Sequence, residues 1–219
     1  EKGVGNMLCV SINMEEFPKV IAIARQYEHV YASVGVHPNE DEGADPSTEE
    51  LVKLADDDKI IAIGETGLDY FRSEGDLEWQ RDRFRRHIAA AKQTGKPLII
   101  HTRDAQEDTI TILQEEGADQ VGGVMHCFTG EWDMAQQALE LGFYISFSGI
   151  VTFKNAEILQ DVARKVPTDR FLVETDSPYL TPIPLRGKPN QPANVRYVAE
   201  CVAELRGESF ETIAEQSTH

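Results

Sequence analysis

The chain has 219 residues, 41% of them hydrophobic and 27% charged, which suits one large α/β domain with a sizeable core. No run of eighteen apolar residues is present, so a membrane-spanning helix is excluded, and the opening residues show no charged-then-apolar leader. A formal net charge of −17 argues against a broad basic face that would grip duplex nucleic acid by counterion release, and Asp41–Asp45 and Asp56–Asp58 read as solvated acidic surface. Cys9, Cys127 and Cys201 are few, odd in number and far apart, the pattern of reduced thiols in a cytoplasmic protein rather than a disulfide framework.

In chain order, apolar runs rich in β-branched and aromatic residues alternate with amphipathic segments. Met7–Ile12 reads as a strand, followed by Asn13-x-x-Glu16, which resembles a capping box. Val30–Val36 is the next strand, and Ser47-x-x-Glu50 is a capping box that opens a helix. After the strand Lys59–Ile63 comes the longest helix, about Asp76 to Thr94, with Leu77, Phe84, Ile88 and Ala91 on one face. Pro97–Ile100, Gly122–Met125, Gly142–Phe147 and Arg170–Val173 are the remaining strands, with Asp104 and Asn155 as expected N-caps. Gly95, Gly117 and Gly142 stand where helix stops are expected. The segment Ser177–Pro192 is irregular and holds five of the ten prolines, as the stiff wall of a site would. Repeated β-then-α units imply a parallel sheet with right-handed crossovers, and hence a TIM-type β/α barrel with seven of its eight strands visible. The expectation is a single domain over residues 1–219, shortened at both ends.

Ionisable residues stand at the ends of these strands, where a parallel barrel carries its chemistry. Glu65 follows Ile60–Ile63, His101 follows Leu98–Ile100, His126 follows the run to Met125, and Glu174 and Asp176 follow Phe171–Val173. Neighbouring strand ends lie about 5 Å apart, so carboxylate and imidazole donors there suit a divalent ion: Mg, Mn or Zn. Glu65 sits in Gly64-Glu65-Thr66-Gly67-Leu68-Asp69, a backbone shaped tightly around a ligand, and a carboxylate can bridge two cations where imidazole cannot. Asp176 is the better ligand and general base, with Glu174 behind it. His37, in Gly35-Val36-His37-Pro38, binds a substrate phosphate or is structural; the residues alone leave both open. Arg103 shares a face with His101 if the strand persists and offers a bidentate phosphate contact. Arg186, Lys188 and Asn190 on the proline-rich loop are further substrate-binding candidates. The cluster Arg81, Arg83, Arg85 and Arg86 reads as the wet face of its helix, and Cys127 lacks the company of a catalytic thiol.

Taken together, Gly35-Val36-His37-Pro38, Gly64-Glu65-Thr66-Gly67-Leu68-Asp69, Ile100-His101-Thr102-Arg103, His126-Cys127-Phe128-Thr129-Gly130 and Glu174-Thr175-Asp176-Ser177-Pro178-Tyr179-Leu180 resemble the signatures of the TatD-type metal-dependent deoxyribonucleases, as does Arg186-Gly187-Lys188-Pro189-Asn190-Gln191-Pro192. The resemblance implies a TIM-type barrel of the amidohydrolase-like superfamily, two divalent ions and hydrolysis of DNA phosphodiesters. It implies that Glu65 bridges the ions, that His101 and His126 hold one, that Asp176 holds the other, and that His37 lines the site near substrate. The family opens on a strand ending in His-x-His, a motif this sequence lacks, in keeping with the count of seven strands. An acidic protein of this kind is expected to take single-stranded DNA or strand ends, with no membrane and no obligate protein partner. Two rivals stand beside it: a hydrolase of small amides, lactones or esters on the same barrel, and a noncatalytic metal-binding scaffold.

Overall fold

A computed structural model describes residues 3–218. Strand and helix alternate from β1 (Met7–Cys9) through α1 (Phe17–Gln26), β2 (Val30–Val34), α2 (Thr48–Leu54), β3 (Ile60–Asp69), α3 (Glu78–Thr94), β4 (Leu98–Arg103) and α4 (Gln106–Glu115). The alternation continues through β5 (Gly123–Met125), α5 (Trp132–Glu140), β6 (Phe143–Phe147), α6 (Glu157–Lys165) and β7 (Phe171–Val173), and closes on α7 (Val195–Arg206) and α8 (Phe210–Gln216). Among the described residues the seven strands follow the order of the chain, the arrangement of a TIM-type β/α barrel. All seven expected strands are present; β3 and β4 run further than their apolar cores, through Asp69 and Arg103.

Chain packing forms two compact units, residues 5–124 and residues 125–218 together with Gly3 and Val4. In the first, β1, β2, β3 and β4 pair in parallel, each with the next. Val34, Ile63, Leu68, Leu98 and Ile100 of the sheet and Phe84 and Ile88 of α3 are fully buried, each contributing about 1.5–3 kcal/mol by leaving water. Helix α3 ends on Gly95 in the left-handed conformation, φ +66°, as its glycine stop requires. The Ser47 capping box forms as read, with Glu50 N–H on Ser47 Oγ and Ser47 N–H on Glu50. Asp104 and Asn155 do not cap: α4 and α6 start after Ala105 and Ala156, without a side-chain cap.

In the second unit β6 and β7 pair in parallel, and Phe143, Phe147 and Phe171 are fully buried, as are Val162 of α6 and Val202 of α7. Residues 177–191 form an irregular segment before a short 3-10 turn at Pro192–Asn194. No helix among the described residues is long and apolar enough to cross a membrane.

Candidate metal centre

The centre of the first unit is built on an irregularity in β3. Ile63 pairs with Leu98, but Thr66 pairs with Ile100, so β3 fits one extra residue against β4 where Gly64 and Glu65 stand. Such a bulge re-aims a side chain, and here it redirects Glu65. The flanking glycines permit it. Gly64 and Gly67 have φ of +144° and +134°, and a methyl group at Gly67 would collide with the carbonyl oxygen of His101.

Glu65, His37 and His101 each bring a ligand atom into a group no wider than 4.8 Å. His101 Nδ1 lies 3.1 Å from Glu65 Oε1 and 3.2 Å from His37 Nε2, while its Nε2 lies 3.1 Å from Asp69 Oδ2. Asp69 is 1% exposed and held by Asn39 Nδ2 and by the backbone N–H groups of Phe71 and Arg72. Burial alone would raise the Asp69 carboxyl, but the hydrogen bonds from His101, Asn39 and Arg72 outweigh it and hold it well below the usual carboxylate range. The ionised Asp69 therefore takes the Nε2–H of His101 and turns the Nδ1 lone pair toward Glu65, the carboxylate–histidine arrangement that orients a metal-binding imidazole. Burial works against a charged His101, yet Asp69 and Glu65 together raise its pKa, so the same Nδ1 position attracts positive charge.

His37 plays a different part. The backbone N–H of Asn39 donates to His37 Nδ1 at 3.1 Å, which places the proton of the neutral ring on Nε2. The ring thus presents an N–H donor rather than a lone pair, and that donor faces His101 Nδ1 at 3.2 Å.

The second unit carries its own cluster. His126 Nδ1 lies 2.9 Å from Glu174 Oε2, and His126 Nε2 lies 3.6 Å from Asp176 Oδ1. Ser146 Oγ donates to the same Glu174 oxygen, so Glu174 orients His126 as Asp69 orients His101. Cys127 and Asp176 both hold left-handed backbone, φ +45° and +56°, a conformation sparse for residues other than glycine and found where function fixes it. Burial, reinforced by Glu174, pushes the Cys127 thiol up to about 12, so it is no nucleophile at neutral pH.

The donor chemistry fits divalent cations. His37, Glu65 and His101 converge in the first unit and His126 faces Asp176 in the second, His101 and His126 each have a carboxylate behind them, and the buried Glu174 Oε1 has no hydrogen-bond partner among the described residues. Of the other expected residues, Arg103 lies on β4 two positions past His101, with its guanidinium 3.7 Å from the Phe71 ring centre. Arg186 likewise lies over Phe153, at 3.9 Å. Asn190 is 4% exposed and donates to the carbonyls of Thr175 and Tyr179, while its Oδ1 accepts from Gln191 N and Asn194 Nδ2; it braces the loop behind Asp176.

Sequence reading misses a buried polar stripe on α3. Arg83, expected on the wet face, is 5% exposed; its Nη1 donates to the carbonyls of His37 and Glu40 and its Nε to Asp45. His87 is fully buried, accepting from Val36 N–H and hydrogen-bonding the Arg83 carbonyl through Nδ1. Gln80, also fully buried, accepts from Asp69 N–H and donates to Asp69 O and Ser73 Oγ. The signal was present: helical spacing from Leu77, Phe84 and Ala91 carries Gln80 and His87 to the buried face.

The model of the family described as TatD-related DNase matches residues 1–219. An uncharacterized metal-dependent hydrolase of Bacillus subtilis, YabD, is 44% identical over 218 residues, covering 98% of this chain and 85% of the relative. YcfH of Escherichia coli K12, also described as an uncharacterized metal-dependent hydrolase, is 48% identical over 212 residues, 96% of this chain and 79% of the relative. The 3'-5' ssDNA/RNA exonuclease TatD of Escherichia fergusonii is 34% identical over 218 residues, 97% and 84% of the two chains. Among solved structures, YJJV, a TatD homologue of Escherichia coli K12, superposes with a TM-score of 0.91 at 31% identity, covering 99% of this chain and 85% of the other. A family match from end to end, relatives of nearly half identical sequence and a shared fold lead to one assignment: the chain belongs to the TatD-related DNase family of metal-dependent hydrolases.

Proposed function

We propose that this chain is a divalent-metal-dependent nuclease that hydrolyses DNA phosphodiester bonds, working from the ends of single strands, in the cytoplasm. The observation that carries the reading is the group of His37, Glu65 and His101 with the ionised Asp69 behind His101, a metal-binding imidazole with its orienting carboxylate beside an N–H donor. The Escherichia fergusonii relative, named as a 3'-5' ssDNA/RNA exonuclease, supports the choice of substrate. Three free cysteines suit a reducing compartment.

Glu65, His101, His126 and Asp176 would hold two divalent ions, of Mg, Mn or Zn. A divalent ion bound there would polarise a phosphate and lower the pKa of a water toward about 7. Asp69 and Glu174 keep the two imidazoles aimed, so their rings need no reorganisation when substrate arrives. Asp176 accepts the proton of the attacking water at its carboxylate. When substrate enters, His37 turns its Nε2–H from His101 Nδ1, 3.2 Å away, to a phosphate oxygen. Arg103 and Arg186 neutralise phosphate charge with the N–H edges of guanidinium groups whose faces rest on Phe71 and Phe153.

The test is incubation of the full-length protein with end-labelled single-stranded DNA and Mg²⁺ or Mn²⁺. Stepwise shortening, abolished by Glu65→Ala and by EDTA, is the expected result, and the labelled end gives the direction. Intact DNA with turnover of a cyclic amide or lactone would transfer the reading to a small-molecule hydrolase. Stoichiometric metal binding with no turnover of either class would leave a scaffold.

A further inference from the structure

Three observations meet at the end of β4. Phe71 is 60% exposed, a large apolar ring facing solvent. The Arg103 guanidinium lies 3.7 Å from its centre, within stacking distance. Arg103 makes no ion pair among the described residues, in a chain where 38 acidic residues compete for 21 lysines and arginines. An exposed phenyl ring alone carries no message, and neither does one unpaired arginine.

Their placement does. Arg103 stands opposite Asp69 in the β3–β4 register and two residues beyond His101. The chain leading to Phe71 is pinned twice: Tyr70 N–H donates to the Arg103 carbonyl at 2.9 Å, and Phe71 N–H donates to Asp69 Oδ1 at 3.1 Å. The Tyr70 hydroxyl, donating to Asp108 at 2.6 Å, adds a third anchor to the same turn. The ring is thus held out on a short, anchored arm beside the carboxylate that orients His101. A guanidinium stacked by its face keeps its planar N–H edge for an anion, and a ring covered on one face keeps the other for a second π-system.

We propose that Phe71 and Arg103 form a nucleotide subsite, in which the outer face of Phe71 stacks on a nucleobase and the Arg103 edge takes the phosphate of the same strand. This rests on the nuclease reading and sharpens it. The ligand is an unpaired nucleotide, since only a base out of the duplex offers its face, and base identity matters little because every base has a π-face. A small lactone or amide would use neither group.

The experiment compares two single strands of equal length with the full-length protein: one with ordinary terminal nucleotides, one with abasic tetrahydrofuran residues at its terminal positions. The wild-type protein is expected to prefer the ordinary end in kcat/KM. Phe71→Ala reduces that preference about tenfold, and Phe71→Trp retains it. A preference unchanged in Phe71→Ala overturns the subsite while leaving the nuclease reading intact. Cleavage of neither strand by the wild type sinks the nuclease reading instead. A parallel titration with a 2-aminopurine-labelled strand in Ca²⁺ reads stacking without turnover: fluorescence quenching that is lost in Phe71→Ala supports the subsite, and quenching equal in both, or absent from both, overturns it.

Discussion

At the scale of single residues, the first unit depends on positions that stand behind its ligand atoms. Asp69 is held below the usual carboxylate range by hydrogen bonds from His101, Asn39 and the Arg72 backbone, despite its burial. Asp69→Asn keeps the shape, but its amide no longer offers a full negative charge to His101 Nε2–H. Removal of such an orienting carboxylate weakens metal binding by about tenfold to a hundredfold, to be measured by calorimetric titration with Mn²⁺. An unchanged affinity would show that His101 is aimed by packing alone. Gly67 makes a second case. Its φ of +134° and the approach of His101 O leave no space for Cβ, so Gly67→Ala must separate β3 from β4 or distort the bulge at Glu65. A loss of about 2–4 kcal/mol in urea unfolding is expected, in the range of overpacking added to backbone strain. Glu65, His101, His126 and Asp176 stood out in the sequence as candidate donors because each follows an apolar run. Asp69 closes the motif that contains Glu65, yet its role was hidden. Nothing in a sequence says that β3 continues four residues beyond the bulge, and only that continuation brings Asp69 to His101 Nε2.

At the scale of elements, α3 does more than cover the sheet. Phe84 and Ile88 give it the buried apolar face its periodicity announced. Gln80, Arg83 and His87 add a line of buried hydrogen bonds to Asp69, to the His37 and Glu40 carbonyls and to Val36 N–H, so one helix sets the position of two segments of the centre. The strands were readable from β-branched runs and the Ser47 box from its spacing. Helical spacing alone would have carried Gln80 and His87 to the buried face, but the burial of Arg83 was not readable, because four arginines in six residues look like a solvated face until the carbonyls they meet are known. His87 turns this burial into a pH dependence. Burial lowers its pKa to about 4, with Arg83 and Arg86 adding to the effect and the Arg83 carbonyl and Asp45 opposing it. A native pKa below the unfolded value of about 6.5 means the unfolded chain binds the extra proton first. The contribution is therefore complete above about pH 6.5 and is lost as pH falls toward 4, a difference of about 3 kcal/mol at most. Urea midpoints between pH 7.5 and 4.5 should fall less steeply in His87→Gln, whose amide can keep both hydrogen bonds, than in the wild type. Equal slopes would assign the acid sensitivity to carboxylates elsewhere.

For the whole molecule, the governing number is the net charge of −17. An acidic surface repels a polyanion at long range, so attraction must come from bound cations and from a few arginines left without carboxylate partners. Among the described residues, Arg103 and Arg186 rest on aromatic rings without an ion pair, and Arg81, Arg85 and Arg86 are committed to acidic neighbours. Neutralising Z phosphates of a single strand gives a slope of about −0.7Z in log K against log salt, so two arginines predict a slope near about −1.4 at fixed divalent concentration. Arg103→Ala should flatten that slope by about 0.7. Duplex DNA, which offers no free base face to Phe71, should bind more weakly than a single strand of the same length at every salt concentration. Fluorescence anisotropy with labelled strands in Ca²⁺ measures all three quantities at once. A slope several times steeper, or a preference for duplex, would require a basic surface that a chain with 38 acidic and 21 basic residues does not supply, and would count against the proposed roles of Arg103 and Arg186.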